Sequence, residues 1–494
     1  MTPPTGAGYY RRIMNDWKYL DTGKDIFNNG SHAIVIGGSM AGLLAARVLV
    51  DHFDRVTLIE RDRFPESAES RKGVPQGRHA HVLLAKGQEI ISQLFPDIVS
   101  TLRENGATPF DLASDTHWHH FGGFKDRTPS GVIGISMSRP LLETIIRRRV
   151  LNLKNLTAIE ECGVEGLVAT DNRARITGVK IRRRAAGAAC ETLTADLIVD
   201  ATGRGSQSPK WLEGFGYPRP QESAIKIDVG YTSRSYRRKP GDLLGAKVVY
   251  ALPTPPHEKR FGGLLPIEGN RWLLMLGGWL GDHAPADEQG YLEFARSLPS
   301  PEIYHFLRQA EPLTDFAIHR FPSNLRRHYE KMARWPDGYL VVGDAMCSFN
   351  PVYAQGMTVS ALYALTLDTC LKELRRGDFR GLPRRYFRKI VKVIDAPWAL
   401  TTGEDFRYRE VLGAKPAGID LVNWFVAKAH KAATRNPDVN RAFLHVMNML
   451  RPPTTLFRPS VMLQVIKANL TGQPRIEQAP ITPINRELEA HTAD

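Results

Sequence analysis

The sequence has few cysteines and no long hydrophobic run. Four of its 494 residues are cysteine, and none stands in a CxxC spacing or beside a histidine cluster, which disfavours disulfide frameworks and metal sites. No stretch approaches the roughly 18 uninterrupted apolar residues of a membrane span. No charged segment followed by an apolar one opens the chain. We therefore expect a cytoplasmic protein with no transmembrane segment and no bound metal.

The formal net charge of +14 is spread over several segments rather than gathered on one face. A nucleic-acid reader would combine a basic face with aromatic or helical reading elements. Scattered lysine and arginine instead indicate solvated surfaces that attract anionic ligands. Nucleic acid is therefore not an expected partner.

A glycine-rich turn lies between a predicted strand, residues 32–36, and a predicted helix. Gly37, Ser39 and Gly42 form a GxSxxG spacing, and Glu60 ends the next predicted strand. Such a turn brings a helix N-terminus up to a pyrophosphate, and the acidic residue accepts hydrogen bonds from ribose hydroxyls. The motif predicts a dinucleotide site made of Gly37, Ser39, Gly42 and Glu60.

A second motif, VVGDAMCSFNPVYAQGMT, favours FAD over NAD. Gly343 and Asp344 follow a predicted strand, and Gly356 opens a predicted helix. A carboxylate there suits the hydroxyls of a ribityl chain, which NAD lacks, and a helix N-terminus suits the anionic edge of a flavin. Asp200 in DATGRGS adds a tight turn beside the same sheet. The motifs predict non-covalent FAD, with the helix start at Gly356 beside the flavin.

Strands and helices alternate along most of the chain, but an antiparallel pattern occupies residues 217–316. We therefore predict an α/β fold with a Rossmann-like FAD-binding domain, an inserted antiparallel β-sheet substrate domain and a C-terminal helical region. The predicted boundaries are an N-terminal extension 1–30, FAD-binding segments 31–110, 138–216 and 317–395, a substrate-pocket segment 111–137, the antiparallel-sheet domain 217–316, the helical region 396–475 and a tail 476–494.

The combination of GGSMAG, DATGRGS and GDAMCSFNP resembles the class A flavoprotein monooxygenases, the p-hydroxybenzoate hydroxylase superfamily. RKGVPQGRHAH (71–81), SRPLLE (138–143), WPDGYLVVGD and RPPTTLFRPS make the chain most similar to bacterial FAD-dependent epoxidases of polyether biosynthesis, the monensin and lasalocid type. The resemblance runs from about residue 32 to 465. The chain departs from those epoxidases in its N-terminal extension and at Ala354–Gln355, where they have Gly and His.

The resemblance implies that Gly38, Met40 and Ala41 also hold the pyrophosphate and that Pro351, Gln355, Gly356 and Met357 line the flavin edge. It implies roles for four further residues. Arg61 would lie with Glu60 on the adenosine side of FAD, and Arg139 would reach the FAD phosphates from a helix start. Val164 would contact adenine through its backbone. Arg71 lies on a loop that passes near the flavin in such folds, where a structural or surface role is as well supported as contact.

The expected reaction is insertion of one oxygen atom from O2 through a flavin C4a-hydroperoxide. An epoxidase or hydroxylase of a lipophilic polyketide or terpenoid fits best, since no base that would ionise a phenol is evident. The alternatives are a prenyl-chain reductase or dehydrogenase and a phenol-type aromatic hydroxylase; a halogenase is disfavoured because WxWxIP is missing. There is no second GxGxxG unit, so NAD(P)H would visit transiently or a partner reductase would supply electrons.

The substrate pocket is predicted between the antiparallel domain, the segment around residues 117–124 and the helix that begins at Gly356. A site that protects a reactive oxygen species must exclude water, and ligand sites gather at apolar domain interfaces. The side chains predicted to line it are Trp118, His119, Leu265, Trp272 and Leu274.

Overall fold

The computed structural model describes residues 29–185, 187–243 and 246–470. The predicted tail, 476–494, and nearly all of the predicted extension, 1–30, lie outside these residues. The described fold begins with strand β1 (Gly30–Ile36), whose last five residues are buried. A run of buried aliphatic residues is typical of a parallel strand that is covered on both faces.

The first layer is a parallel sheet with the order β17-β11-β1-β2-β7 among the described strands. Helix α1 (Met40–Leu49) connects β1 to β2 and packs against α8 (Gly356–Lys372). This confirms the Rossmann-like unit that the glycine-rich turn predicts. The other strands of the sheet are β2 (Phe53–Ile59), β7 (Leu156–Ile159), β11 (Leu197–Asp200) and β17 (Tyr339–Val341).

A small antiparallel sheet follows β7, as the pattern of residues 162–194 predicts. Its described strands have the order β10-β9-β8, and the chain then returns to the parallel sheet at β11. A further pair, β3 and β6, is antiparallel. The bounds are β8 (Cys162–Ala169), β9 (Ile176–Arg183), β10 (Cys190–Thr194), β3 (Thr108–Asp111) and β6 (Ile133–Ser136).

The large sheet has the order β18-β16-β12-β15-β14-β13-β4-β5 within the described ranges. Neighbouring strands are antiparallel except β13 and β4. A hairpin that turns at residues 268–270 joins β14 and β15. The bounds are β4 (Thr116–His120), β5 (Gly123–Phe124), β12 (Glu222–Arg237), β13 (Val248–Ala251), β14 (Arg260–Ile267), β15 (Arg271–Gly278), β16 (Ala317–Arg327) and β18 (Cys347–Ser348).

The predicted limits of the antiparallel domain, 217–316, are too narrow. Strand β16 follows the predicted end, yet it pairs with β12 from Ala317 opposite Ser233 to Arg327 opposite Glu222. Strand β4 comes from the segment predicted as a separate pocket wall, and it pairs with β13. These pairings join distant parts of the chain, so local alternation of residues could not reveal them.

The helices cover the sheets and form the C-terminal part of the described chain. Ser138 caps α4, and its side chain accepts a hydrogen bond from Leu141 N. Helix α9 begins at Leu382, before the predicted boundary at 396. No helix in the described ranges is both long and apolar enough to cross a bilayer. The remaining bounds are α2 (Ala85–Leu94), α3 (Ile98–Glu104), α4 (Arg139–Leu151), α5 (Ser208–Gly214), α6 (Glu288–Arg296), α7 (Glu302–Leu307), α9 (Leu382–Asp405), α10 (Ile419–Ala432), α11 (Pro437–Met447) and α12 (Pro459–Leu470).

Candidate functional site

The turn between β1 and α1 brings two backbone segments into close contact. Gly37 has a φ of +102°, in the left-handed region that favours glycine. A Cβ added to Gly42 would lie 1.7 Å from Gly37 O, and one added to Gly37 would lie 2.7 Å from Ala201 O. No side chain caps the first turn of α1. Its N–H groups are therefore available to a phosphate.

Glu60 lies directly after β2 and holds this turn in place. Its carboxylate accepts hydrogen bonds from Gly38 N at 2.7 Å and from Asp62 N at 3.0 Å. Arg71 Nη1 lies 3.1 Å from Glu60 Oε2, and Arg71 Nη2 donates to Gly38 O at 3.0 Å. The predicted loop arginine is therefore part of the dinucleotide turn.

A buried ion cluster centred on Glu143 in α4 completes this end of the site. Glu143 accepts from Ser39 Oγ at 3.0 Å and from Arg139 Nη2 at 3.0 Å, and its other oxygen accepts from Arg71 Nε at 3.2 Å. Burial works to raise the pKa of Glu143, but Arg139 and Arg71 outweigh it and hold that pKa below its usual value. Glu143 was not predicted as a site residue, although its i,i+4 spacing from Arg139 was a signal.

Asp344 lines a recess beside the Glu143 cluster. Its neighbours Gly343 and Ala345 are buried while Asp344 is exposed, yet burial among protein atoms raises its pKa, with Arg139 and Arg204 acting in the opposite direction. Because the Asp344 carboxylate is accessible to solvent and is also surrounded by protein atoms, we infer that it lines a recess. A Cβ added to Gly343 would lie 2.7 Å from the Ala41 Cβ. The two glycine motifs, distant in sequence, therefore meet.

The loop before α8 borders the same recess. Its residues 351–354 are all half-buried, and Ala354 has a φ of +55°. The Gln355 side chain does not cap the N-terminus of α8. It is buried, and its amide oxygen accepts a hydrogen bond from Thr401 Oγ1 at 2.7 Å. A Cβ added to Gly356 would meet nothing within 4 Å. The N-terminus of α8 therefore faces open space, as a flavin edge requires.

These features fit FAD as the bound group. The turn at Gly37–Gly42 would hold the pyrophosphate, Asp344 would offer a carboxylate to the ribityl hydroxyls, and α8 would present its N-terminus to the flavin edge. The fit rests on two close approaches, of Gly42 to Gly37 O and of Gly343 to the Ala41 Cβ, which a larger side chain at either glycine would block. When bound, FAD would supply the redox chemistry of the site.

Comparison with known proteins agrees with this geometry. Residues 33–210 match the FAD dependent oxidoreductase family. The chain is 32% identical over 437 residues to Protein Rv3254 of Mycobacterium tuberculosis, covering 86% of this chain and 90% of that protein. This chain is a member of the FAD-dependent oxidoreductase family. It is in the same family as Protein Rv3254, and as an enzyme it is an oxidoreductase.

The FAD-dependent oxidoreductase is also similar to two proteins of stated activity. It is 26% identical over 364 residues to kynurenine 3-monooxygenase of Salinispora tropica, covering 68% of this chain and 72% of that enzyme. Its fold superposes on the flavin-dependent brominase Bmp2 with a TM-score of 0.62 and 13% identity, covering 89% of this chain and 99% of the brominase. The second likeness shows a shared fold.

Behind the flavin-edge loop, the oxidoreductase buries a carboxylate that sequence reasoning missed. Asp405, the last residue of α9, is fully buried. Its Oδ1 accepts from Asn350 Nδ2 at 2.8 Å, Trp279 Nε1 at 3.1 Å and the Tyr353 hydroxyl at 3.2 Å, and its Oδ2 accepts from Asn324 Nδ2 at 2.7 Å. Burial raises the pKa of Asp405 to about 6, against the effect of these donors. One side chain thus ties the loop to α9 and the large sheet.

The side chains predicted to line the substrate pocket fall into two clusters. Trp118 and Leu265 pack together with the C-terminal helices. Trp272 and Leu274 pack with helices α6 and α7 on the other face of the sheet, because pairing sets Leu265 opposite Leu273 and Leu264 opposite Leu274. His119 packs its ring edge against Phe124, with ring centres 5.1 Å apart. Trp272 and Leu274 therefore cannot share a pocket wall with Leu265, which corrects the prediction.

Two residues predicted to bind the cofactor are enclosed by protein. Asp200 is fully buried, and its carboxylate accepts from Thr202 N at 2.8 Å, from the Thr202 and Ser206 hydroxyls at 2.6 and 2.5 Å, and from the Ser208 hydroxyl. It shapes the DATGRGS loop rather than contacting a ligand, which corrects that prediction. The Met40 side chain is buried in the main core, which leaves only its backbone to face a phosphate.

The remaining predicted cofactor residues lie at the adenosine end or the flavin edge. Val164, in β8, follows Cys162, whose N–H donates to Glu60 O at 3.0 Å. Arg61 is exposed, beside Glu60 in the chain. At the other end Pro351 is half-buried and Met357 is buried in the first turn of α8. These placements leave their predicted contacts with FAD as proposals.

The variant Asp344→Ala is expected to bind FAD at least about tenfold more weakly. A charge-assisted hydrogen bond contributes about 1.5–3 kcal/mol, and 1.4 kcal/mol corresponds to tenfold in affinity. Flavin fluorescence titration of the stripped protein measures the change. Asp171→Ala, an exposed carboxylate in the turn between β8 and β9, is the matched control. Equal affinity of a folded Asp344→Ala protein would show that Asp344 only supports the local turn.

Proposed function

We propose that this FAD-dependent oxidoreductase is a monooxygenase that transfers one oxygen atom from O2 to a lipophilic, alkene-bearing polyketide or terpenoid. The observation that carries the proposal is a set of half-buried apolar side chains next to the flavin-edge loop. Leu252 is half-buried and packs against two separate core clusters. We call this set of side chains the apolar rim. Besides Leu252 it contains Tyr250, Met275, Val352 and Trp398.

Apolar side chains that stay half-accessible inside a fold indicate a recess rather than a packed core. Tyr250 supports this reading, because burial raises its pKa although part of its surface is accessible. The rim comes from three separate parts of the fold: the large sheet, the loop before α8 and α9. It would hold an apolar substrate against the flavin edge and exclude water from it.

The residues of the chain bind and orient rather than react. The Gly37–Gly42 turn and Arg139 would hold the FAD phosphates, and Asp344 would hold the ribityl chain. The Asp405 network keeps the flavin-edge loop in place beneath the apolar rim. FAD would supply oxygen transfer when it is bound and reduced. NAD(P)H, directly or through a separate reductase, is the proposed electron donor.

Likeness to other proteins supports oxygen transfer in part. The relative from Salinispora tropica is a monooxygenase by name, and the resemblance of RKGVPQGRHAH to polyether epoxidases supports an alkene as the acceptor. The structural likeness to a brominase concerns the fold, and the sequence lacks the WxWxIP motif. Epoxidation is therefore the reaction that we place first.

His81 favours phenol hydroxylation as a second candidate. Its Nδ1 bonds with His79 O at 2.9 Å, so the ring proton belongs on Nδ1 and Nε2 is an acceptor. Burial and the nearby charge of Arg139 lower the pKa of His81 to about 4. A neutral imidazole beside the recess can accept a hydrogen bond from a substrate hydroxyl. Its low pKa makes it a weak base, which keeps this candidate second.

The purified enzyme is expected to release FAD on heating and to consume O2 when NAD(P)H and an alkene-bearing substrate are supplied together. The product is expected to gain one oxygen atom, and isotopically labelled O2 should place the label in the product. Mass spectrometry measures both. Omission of the alkene is the control for uncoupled O2 consumption.

Three results would contradict the proposal in different ways. A product that gains or loses a pair of hydrogen atoms would favour the prenyl-chain reductase or dehydrogenase. Oxygen transfer to a phenol but not to an alkene, lost in His81→Ala, would favour the aromatic hydroxylase. Release of FMN in place of FAD would contradict the roles proposed for Glu60 and the glycine-rich turn.

A further inference from the structure

Exposed apolar side chains are concentrated in the C-terminal helices. Eight of the eleven large hydrophobic residues that are exposed in the described part of the chain lie between residues 412 and 470. On α10, Leu421 is 71% exposed and Trp424 is 59% exposed; on α12, Leu463 is 67% exposed. A single exposed leucine needs no explanation, but a concentration of them marks an interaction surface.

These side chains form one stripe on each helix. Leu421 and Trp424, together with the half-buried Lys428, follow the i, i+3, i+7 spacing of a helix face on α10. Leu463, Ile466 and Leu470 follow the same spacing on α12. We call these two stripes the docking face; its members are Leu421, Trp424, Lys428, Leu463, Ile466 and Leu470.

The two helices are neighbours. Asn469 Nδ2 on α12 donates to Lys428 O on α10 at 3.0 Å. Phe425 lies on α10, and Phe457 lies just before the start of α12. The centres of their rings are 4.8 Å apart. The two stripes are therefore carried by one helix pair, whose inner sides pack on the protein.

The region around the docking face is strongly basic. Between residues 406 and 470 there are ten lysines and arginines and three aspartates and glutamates. This excess of seven positive charges is half of the net charge of the chain. Lys431 and Arg458 are exposed close to the docking face. An apolar helix face flanked by cations and carrying a tryptophan matches helices that lie in a membrane interface.

We propose that the docking face binds the surface of an anionic lipid bilayer, with its apolar side chains inserted at the headgroup boundary and the surrounding cations at the lipid phosphates. A second copy of the chain is a poorer occupant, since a twofold contact would bring the same basic regions together. The binding involves no crossing of the bilayer. It does not depend on the reaction proposed above.

The test uses the full-length holoenzyme and vesicles of equal parts phosphatidylglycerol and phosphatidylcholine. The protein is expected to sediment with these vesicles at low ionic strength, to bind pure phosphatidylcholine at least about tenfold more weakly, and to dissociate as salt rises. Leu421→Ser and Leu463→Ser are each expected to weaken partition about tenfold, the loss of one inserted leucine. FAD content and thermal midpoint should be unchanged in both.

Ile318→Ser is the matched control, because Ile318 is 54% exposed on β16 and outside the docking face; its partition should equal that of the unaltered protein. Failure of the full-length protein to bind anionic vesicles would overturn the proposal. The proposal would also be overturned if the Leu421→Ser and Leu463→Ser variants partitioned as strongly as the unaltered protein. A dimer in sedimentation equilibrium that Trp424→Ser dissociates would assign the docking face to a second copy instead. Each of these outcomes leaves oxygen transfer to be judged by its own assay.

Discussion

The variant Gly42→Ala is expected to lose FAD binding and to lower the free energy of unfolding by about 3 kcal/mol or more. An added Cβ would lie 1.7 Å from Gly37 O, inside the radius of both atoms. Overpacking a core commonly costs about 1–3 kcal/mol, and here the obstacle is a backbone oxygen that cannot rotate away. Alanine gains about 1 kcal/mol of helix propensity over glycine, which is too little to offset the overlap.

The same substitution at Gly166 is the matched control. Gly166 lies in β8, and an added Cβ would meet nothing within 4 Å. Gly166→Ala should therefore keep both FAD content and stability. Chemical denaturation gives the unfolding free energies, and the flavin absorbance of the purified proteins gives FAD content. Full FAD content in Gly42→Ala would mean that α1 and β1 move apart easily. That result would contradict the role proposed for this turn in phosphate binding.

The variant Asp405→Ala is expected to lower the free energy of unfolding by at least about 3 kcal/mol and to weaken FAD binding. It leaves the buried donors of Asn324, Asn350, Trp279 and Tyr353 without their common acceptor. Each unsatisfied buried donor costs about 1–3 kcal/mol. FAD binding should suffer because Asn350 and Tyr353 belong to the flavin-edge loop. Glu410→Ala, which removes an exposed ion pair with Lys259, is the control and should cost about 0–1 kcal/mol.

Asp405 also predicts a pH dependence. Its pKa is raised to about 6 in the folded protein, against about 3.9 for an unfolded aspartate. The folded state therefore holds the proton more tightly, so this group's contribution to stability is fully present below about pH 4 and falls as pH rises through 6. Relative to Asp405→Asn, the unaltered protein should lose stability across that window. A constant difference between the two proteins from pH 4 to 7 would contradict the raised pKa.

The parts of the site that sequence predicted are those with local rules. Gly37 and Gly42 were recognised because a tight turn before a helix admits only glycine there, whatever the rest of the fold does. Asp344 and Gly356 were recognised in the same way, as residues at a strand end and a helix start. Asp200 followed the same local logic and was assigned wrongly, because nearby hydroxyls in its own loop satisfy its carboxylate.

The parts that sequence missed depend on contacts between distant segments. Glu143 becomes a site residue only because α4 crosses the dinucleotide turn and meets Arg71. Asp405 acquires its donors from the residue that follows β15, from β16 and from the loop before α8. The i,i+4 spacing from Arg139 is a local signal for Glu143, but it does not reveal the contact with Arg71. Asp405 has no sequence neighbour that reveals its role.

By itself, the sequence determined the class of cofactor and the order of the α/β elements, since glycine turns, strand ends and helix starts obey short-range steric and dipolar constraints. Tertiary structure alone decided which strands join the large sheet. It also decided which face of the β14–β15 hairpin lies toward the recess beside the flavin-edge loop. The register of the hairpin gives Leu265 and Leu274 opposite faces, but it does not say which face meets the flavin-edge loop. That choice is made by the packing of α6 and α7 on one side and of the C-terminal helices on the other.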